Sequence, residues 1–90
     1  MKRSADIELS QHADWDSWRD LKVPLDEAAT DEFLIHVERQ LQLGLTGFES
    51  MEFEPGRPSL VVVLNRPRED ASTLATEVDA CIAAATKPRG

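Results

Sequence analysis

The sequence predicts an α+β domain, a two-layer sandwich in which two helices cover one face of a four-stranded antiparallel sheet in the order β-β-α-β-β-α. Three observations predict it. Four short segments alternate polar with apolar residues or are continuously apolar, two longer segments carry apolar residues at three- and four-residue spacing, and proline and glycine separate these segments. We expect residues 1–90 to form a single domain, because a chain of 90 residues can build only one modest core.

The first two strands are predicted near the amino end. Asp6 to Leu9 alternates polar with apolar residues, as a strand with one buried face does. The stretch that ends in Trp18 to Val23 alternates again, with Leu21 and Val23 on one side. We therefore expect Leu21 and Val23 to face the core.

A short helix from Gln11 to Asp20 is the alternative for part of this region. Trp15 and Trp18 are three residues apart, so they could share one face of such a helix. The order would then be β-α-α-β-β-α with three strands. The sequence does not decide whether the two tryptophans lie in the core or at the surface.

The first long helix is predicted from Asp26 to Leu43. Pro24 and the acidic residues that follow it are typical of a helix start, and Gly44 is typical of a helix end. The apolar stripe of this helix consists of Phe33, Leu34, Val37 and Leu41.

A hairpin and a second helix complete the predicted fold. Phe48 to Glu54 and Ser59 to Asn65 are strand-like, and Pro55-Gly56-Arg57-Pro58 between them indicates a short turn. The second helix is predicted from Glu69 to Thr86, and Pro88 follows it. Its buried face is predicted to carry Leu74, Val78, Cys81, Ile82 and Ala85.

The two halves of the chain resemble each other. Leu21 to Ala28 and Leu64 to Ala71 share leucine, proline, an acidic pair and alanine at matching positions. Two strand-strand-helix units that arose by internal duplication would explain the match. The shared capping preferences of helix starts would explain it equally well.

Composition excludes several classes of function. The chain carries 17 acidic and 10 basic residues, a net charge of −7, which disfavours binding to nucleic acid and to anionic membranes. The longest apolar run is Leu60 to Leu64, and the first residues do not resemble a signal peptide, so we expect a cytoplasmic protein. Cys81 is the only cysteine, which excludes an intramolecular disulfide and a cysteine-based zinc site.

Motifs for catalysis or metal binding are missing from the sequence, and we predict no catalytic residue, metal ion or cofactor. A calcium loop counted from Asp14 would need glycine and glutamate where Arg19 and Leu25 stand. The alternative function is a small dimeric domain that binds a ligand or catalyses a reaction, with its pocket between sheet and helices. His36, one turn after Glu32, is its acid–base candidate.

Acidic residues around two tryptophans favour a protein-binding function. Seven carboxylates lie between Asp14 and Glu32, and the uncovered face of the sheet is predicted to be mostly charged. That face is expected to carry Asp6, Glu8, Trp18, Asp20, Lys22, Glu52, Glu54, Val61 and Val63. We predict a non-catalytic acidic interaction module, such as an inhibitor, an immunity-type protein or an accessory subunit, that docks on a basic protein surface. The candidate binding residues are Trp15, Trp18, Asp14, Asp16, Asp20, Val61, Val63, Glu52 and Glu54.

Self-association is a second predicted interaction. Ile35 and Leu43 lie outside the apolar stripe of the first helix, and the second helix carries small residues opposite its buried face. Small side chains permit close helix packing, which would allow a homodimer, although alanine also favours helices without any contact.

Overall fold

The structure, a computed structural model, describes residues 1–54 and 56–86. It has the predicted two-layer α+β architecture with the element order β-β-α-β-β-α. The elements are β1 (Glu8–Gln11), β2 (Arg19–Pro24), α1 (Asp31–Gly44), β3 (Phe48–Phe53), β4 (Ser59–Leu64) and α2 (Ala71–Thr86). Pro55 of the predicted turn and Pro88 lie outside the described residues.

The four strands form one antiparallel sheet in the order β1-β2-β4-β3. Hairpins join β1 to β2 and β3 to β4, and the two central strands pair with each other. Because side chains alternate between the faces of a sheet, the register separates an inner row from an outer row. Leu21, Val62 and Met51 are cross-strand neighbours of the inner row.

The core lies between the inner row of the sheet and the two helices. It combines strand residues such as Leu21 and Val62 with the predicted stripes of both helices. Ile7, Leu9, Phe48 and Ala85 are partly buried and pack against this core. No polar or charged residue is buried among the described residues, so the core is held together by apolar packing.

The segment between β1 and β2 is a hairpin loop, so the prediction of a helix from Gln11 to Asp20 is wrong. The Trp18 amide donates to the Trp15 carbonyl at 3.0 Å, and the His12 amide donates to the Trp18 carbonyl at 3.2 Å. These two bonds close the loop at the end of the antiparallel β1–β2 pair. Both tryptophans therefore lie outside the core.

Helix α1 begins at Asp31, five residues later than the predicted start at Asp26. Pro24 is the last residue of β2, and the pairing continues into the next residue, because the Leu25 amide donates to the Pro58 carbonyl at 2.8 Å. Thr30 caps the helix by accepting a hydrogen bond from the Phe33 amide at 3.1 Å. Helix α2 begins two residues after the predicted Glu69 and ends at Thr86 as predicted.

Neither α1 nor α2, the helices of the described part of the chain, is long and apolar enough to cross a membrane.

Candidate protein-binding surface

The tryptophan loop, residues 12–18 between β1 and β2, is the most distinctive surface feature of the fold. Trp15 is 56% exposed, and its ring centroid lies 5.6 Å from that of Trp18, with the two planes tilted by 34°. The imidazole of His12 also lies 5.6 Å from the Trp18 ring, at a tilt of 33°. Trp18, which is half-buried, thus contacts both the exposed indole and the histidine.

A hydrogen bond ties these aromatic rings to the sheet. His12 Nδ1 lies 2.7 Å from Asp20 Oδ1, and both side chains are mostly shielded from solvent. Asp20 belongs to the central strand β2 and pairs with Ser10 on one side and with Val63 on the other. The position of the His12 ring, and with it the packing of Trp18, is therefore fixed by the sheet.

The loop presents negative charge beside Trp15. The side chain of Asp14 is 81% exposed, with Oδ2 at 3.9 Å from His12 Nε2. Asp16 is exposed, and its Oδ1 accepts a hydrogen bond from the neutral side chain of Gln11 at 2.8 Å. Gln11 is uncharged, so its hydrogen bond does not neutralise Asp16, and the carboxylate of Asp14 is exposed to solvent.

Arg19, the basic residue next to the loop, bonds the loop backbone and forms its ion pair outside the loop. Its Nη1 donates to the carbonyl oxygens of Asp16 and Trp18, each at 2.9 Å, and its Nη2 pairs with Glu69 at 3.1 Å. The guanidinium braces the backbone of the loop and joins it to the segment before α2. Its charge is shared with Glu69 rather than with Asp14.

Within the strands, the open face, meaning the face of the sheet away from the helices, has the predicted alternation, whereas Asp6, Trp18 and Glu54, which were also predicted on it, lie outside the strands. Glu8, Lys22, Val61 and Glu52 form one outer row across the four strands, and Ser10, Asp20, Val63 and Ser50 form the next. Val63, however, is only 2% exposed although it lies outside the core cluster. Val63 therefore offers almost no surface to a partner, which corrects its assignment as a binding residue.

The remaining predicted binding residues lie at the other end of β4. Glu52 and Glu54 are exposed beside a groove of about 500 Å³, and Arg57 pairs with Glu54 at 3.0 Å. The tryptophan loop adjoins the Leu64 end of β4, whereas this groove adjoins the Ser59 end. The structure therefore divides the predicted patch into two regions separated by the length of a six-residue strand, about 17–20 Å.

The features of the alternative function are dispersed. Core side chains fill the space between sheet and helices, where its pocket was expected. His36 Nε2 lies 3.9 Å from Glu32 Oε1 on α1, beside a shallow groove that includes Met1 and Thr86. Cys81 is buried on α2, and burial raises the pKa of its thiol, as does the charge of Glu77 to a smaller extent.

Metal ligands do not converge in the described residues: no group of three or more histidine, cysteine, aspartate or glutamate side chains there could hold a metal ion. His12 instead lies 2.7 Å from Asp20 and 3.9 Å from Asp14, measured from its two ring nitrogens.

Two contributors to this surface were not predicted from the sequence. His12 packs on Trp18, and Gln11 holds the carboxylate of Asp16. Both contacts arise because β1 extends to Gln11, which pairs with Arg19. Residues 12 and 18 then face each other at the base of the hairpin loop. Cross-strand aromatic pairs at such positions are a known source of hairpin stability.

No protein family, curated protein or solved structure matches this chain. Its function is therefore inferred from its own residues.

Proposed function

We propose that this protein is a non-catalytic acidic interaction module that binds a basic surface of another protein through its tryptophan loop. The observation that carries the proposal is Trp15, a large aromatic side chain that is 56% exposed between two solvent-facing carboxylates. Tryptophan is enriched among the residues that dominate binding energy at protein interfaces. Trp15 is also not an isolated aromatic, because its ring lies 5.6 Å from that of the half-buried Trp18, between carboxylates that a basic partner would compensate.

The rest of the loop prepares Trp15 for binding. The ring of Trp18 supports it, His12 contacts Trp18, and Asp20 fixes His12 from the sheet. A side chain that is held in place before contact loses less conformational entropy on binding. The half-buried trio therefore acts as a platform, and Trp15 is the group that enters the interface.

The charges of the loop select the partner. Asp14 and Asp16 flank Trp15, and the whole chain carries a net charge of −7. Charges at the rim of an interface act mainly by accelerating encounter with an oppositely charged surface. A basic partner is therefore attracted at long range and then anchored by the indole, and its binding weakens as salt is added.

Affinity capture with a matched pair of variants tests the proposal. The immobilised chain is expected to retain one protein partner from its host in a salt-sensitive, stoichiometric complex. Trp15→Ala is expected to weaken that complex by about 2 kcal/mol or more, roughly thirtyfold in Kd, which titration calorimetry would measure.

Leu43→Ala is the control for this experiment. Leu43 is 77% exposed on α1, so the substitution also removes an exposed apolar side chain but from the helical layer. Binding should be unchanged. The proposal fails if Trp15→Ala binds as tightly as the unmodified chain, or if the chain co-purifies with a small metabolite and no protein.

A further inference from the structure

The β3 edge, meaning the side of Phe48–Phe53 that faces away from β4, is a second surface with a specific shape. In the sheet order β1-β2-β4-β3, this strand has a hydrogen-bonded neighbour on one side only among the residues that the structure describes. An edge strand offers a row of backbone N–H and C=O groups to any chain that can lie beside it. Adding a strand to such an edge is a common way for proteins to bind extended peptides.

The opposite edge of the sheet is less available. Strand β1 has only four residues. Beyond it, Arg3 forms an antiparallel bridge with Leu25, the residue after β2, so the amino-terminal segment covers the rest of that edge. Strand β3 has six residues, and its irregularity lies between Phe48 and Ser50. The pairing is regular from Met51 to Phe53, so this half of the strand has the geometry that a further strand needs.

Side-chain recognition is available beside the regular half of β3. The groove of about 500 Å³ is lined by Glu52, Phe53, Glu54, Arg57 and residues 59–61. Phe53 pairs with the buried Leu60 and shares its side of the sheet, yet it is 43% exposed because it lies at the edge. An added strand could bury this ring with an apolar side chain of its own.

The charge of the edge indicates what kind of strand fits. Glu49 and Glu52 are the charged residues of β3, and the strand has no basic residue. The Asn65 side chain donates to Glu49 at 3.0 Å, and Arg57 pairs with Glu54, but within residues 1–54 and 56–86 the Glu52 carboxylate has no hydrogen bond or ion pair. Pairing with a second copy would bring like charges together, whereas a basic strand would compensate them.

We propose that the β3 edge binds an extended basic segment of a partner protein as a fifth strand. In this complex, lysine or arginine side chains lie on the same face as Glu52, and the alternating apolar side chains lie on the face of Phe53. The surface is separate from the tryptophan loop, because the loop joins β1 to β2 and the strand β4 lies between these strands and β3. The inference therefore does not depend on the function proposed for Trp15.

The test uses the isotope-labelled full chain and a short acetylated peptide of alternating lysine and valine. Titration is expected to shift the amide NMR signals of Met51, Glu52 and Phe53 saturably, and to slow hydrogen exchange at those whose N–H points away from β4, because successive amides of a strand point to opposite sides. A peptide of alternating glutamate and valine should leave these signals unchanged.

Two charge reversals locate the interaction. Glu52→Lys is expected to weaken binding of the lysine peptide at least tenfold. Glu8→Lys makes the same change in an exposed residue of the same outer row, but at the β1 edge, and should weaken binding far less. Trp15→Ala should leave binding of the peptide intact, which keeps this test independent of the affinity capture.

Three results would overturn the proposal: no change at the β3 amides at high peptide concentration, changes confined to the tryptophan loop, or equal weakening by the two charge reversals.

Discussion

Val61 and Val62 are adjacent in β4 and have opposite surroundings. Val62 is fully buried between Leu21 and Met51 of the neighbouring strands and belongs to the core. Val61 is half-buried on the open face, opposite Lys22 and Glu52. Both are β-branched residues in the same central strand, so their intrinsic strand preference is equal.

Substituting each valine by alanine therefore isolates the contribution of burial. Val62→Ala is expected to lower the free energy of unfolding by about 1–3 kcal/mol, through lost apolar burial and the cavity that remains. Val61→Ala should cost less than about 1 kcal/mol, mostly from reduced strand preference. Urea titrations of the two variants give this difference directly, and equal losses would contradict the assignment of the faces.

Alternation in the sequence predicts which face of the sheet a residue lies on, but it does not predict how exposed that residue is. It places both Val61 and Val63 on the open face, and the register confirms this. Yet Val63 is 2% exposed, because its accessibility depends on the side chains around it on that face. The exposure of Trp15 could not be predicted for the same reason: it depends on how the loop closes, which no period of two or 3.6 residues describes.

At the scale of the elements, the start of α1 shows that one proline can fit either the start of a helix or the end of a strand. Pro24 suits the first turn of a helix, but it equally suits the end of a strand, where its missing N–H costs nothing. The structure uses it in the second way. Residues 25–30 form a connection that buries Leu25 and Ala29, and Thr30 then provides the cap.

Removing this cap is expected to destabilise the domain. Thr30→Ala eliminates the acceptor for the Phe33 amide and should lower the free energy of unfolding by about 1 kcal/mol. Thr30→Ser keeps the hydroxyl and should retain most of that stability. A thermal or urea unfolding curve in which the alanine and serine variants are equally stable would show that the cap contributes nothing.

The β1–β2 hairpin was harder to predict than the β3–β4 hairpin. Residues 55–58 contain two prolines and a glycine, which favour a turn, whereas residues 12–18 contain neither residue type. The tryptophan loop is instead closed by backbone hydrogen bonds and by the contact between His12 and Trp18. Two residues at this spacing would not contact each other within one helix or one strand. These contacts depend on the particular side chains at residues 12 and 18 rather than on glycine or proline, so they leave little signal of a turn in the sequence.

At the scale of the whole molecule, the two halves of the chain contribute equivalent parts. Each supplies one edge strand, one central strand and one helix, and the central strands pair with each other. The repeated sequence pattern predicted this element order, while the hypothesis of a duplication stays a hypothesis. The arrangement places one candidate binding region on the β1–β2 loop and the other at the β3 edge.

The titration of the Cys81 thiol is expected to make the free energy of unfolding depend on pH. Cys81 lies in α2, is 6% exposed, and has its Sγ 3.5 Å from the Gln40 carbonyl of α1. Burial raises the pKa of its thiol, and the nearby charge of Glu77 adds to the shift. The folded chain thus holds this proton more tightly than the unfolded chain does.

The sign of the pH dependence follows from that difference. Below the pKa of an unfolded cysteine, about 8.5, both states keep the proton and the stabilisation is complete. As the pH rises through this value toward the higher pKa of the folded thiol, the unfolded state loses its proton first and is favoured, with a slope of at most about 1.4 kcal/mol per pH unit for one proton. We therefore expect the free energy of unfolding to decline above about pH 8.5.

Cys81→Ala separates this contribution from those of other groups that titrate in alkali. The substitution removes the thiol, so the variant is expected to lose some stability at every pH, through a small cavity, but to show a shallower decline above about pH 8.5. Urea titrations at a series of pH values from neutral to moderately alkaline measure both slopes. Identical slopes for the two chains would mean that the thiol titrates alike in the folded and unfolded states, and hence that α1 and α2 do not shield it in solution as they do in the structure.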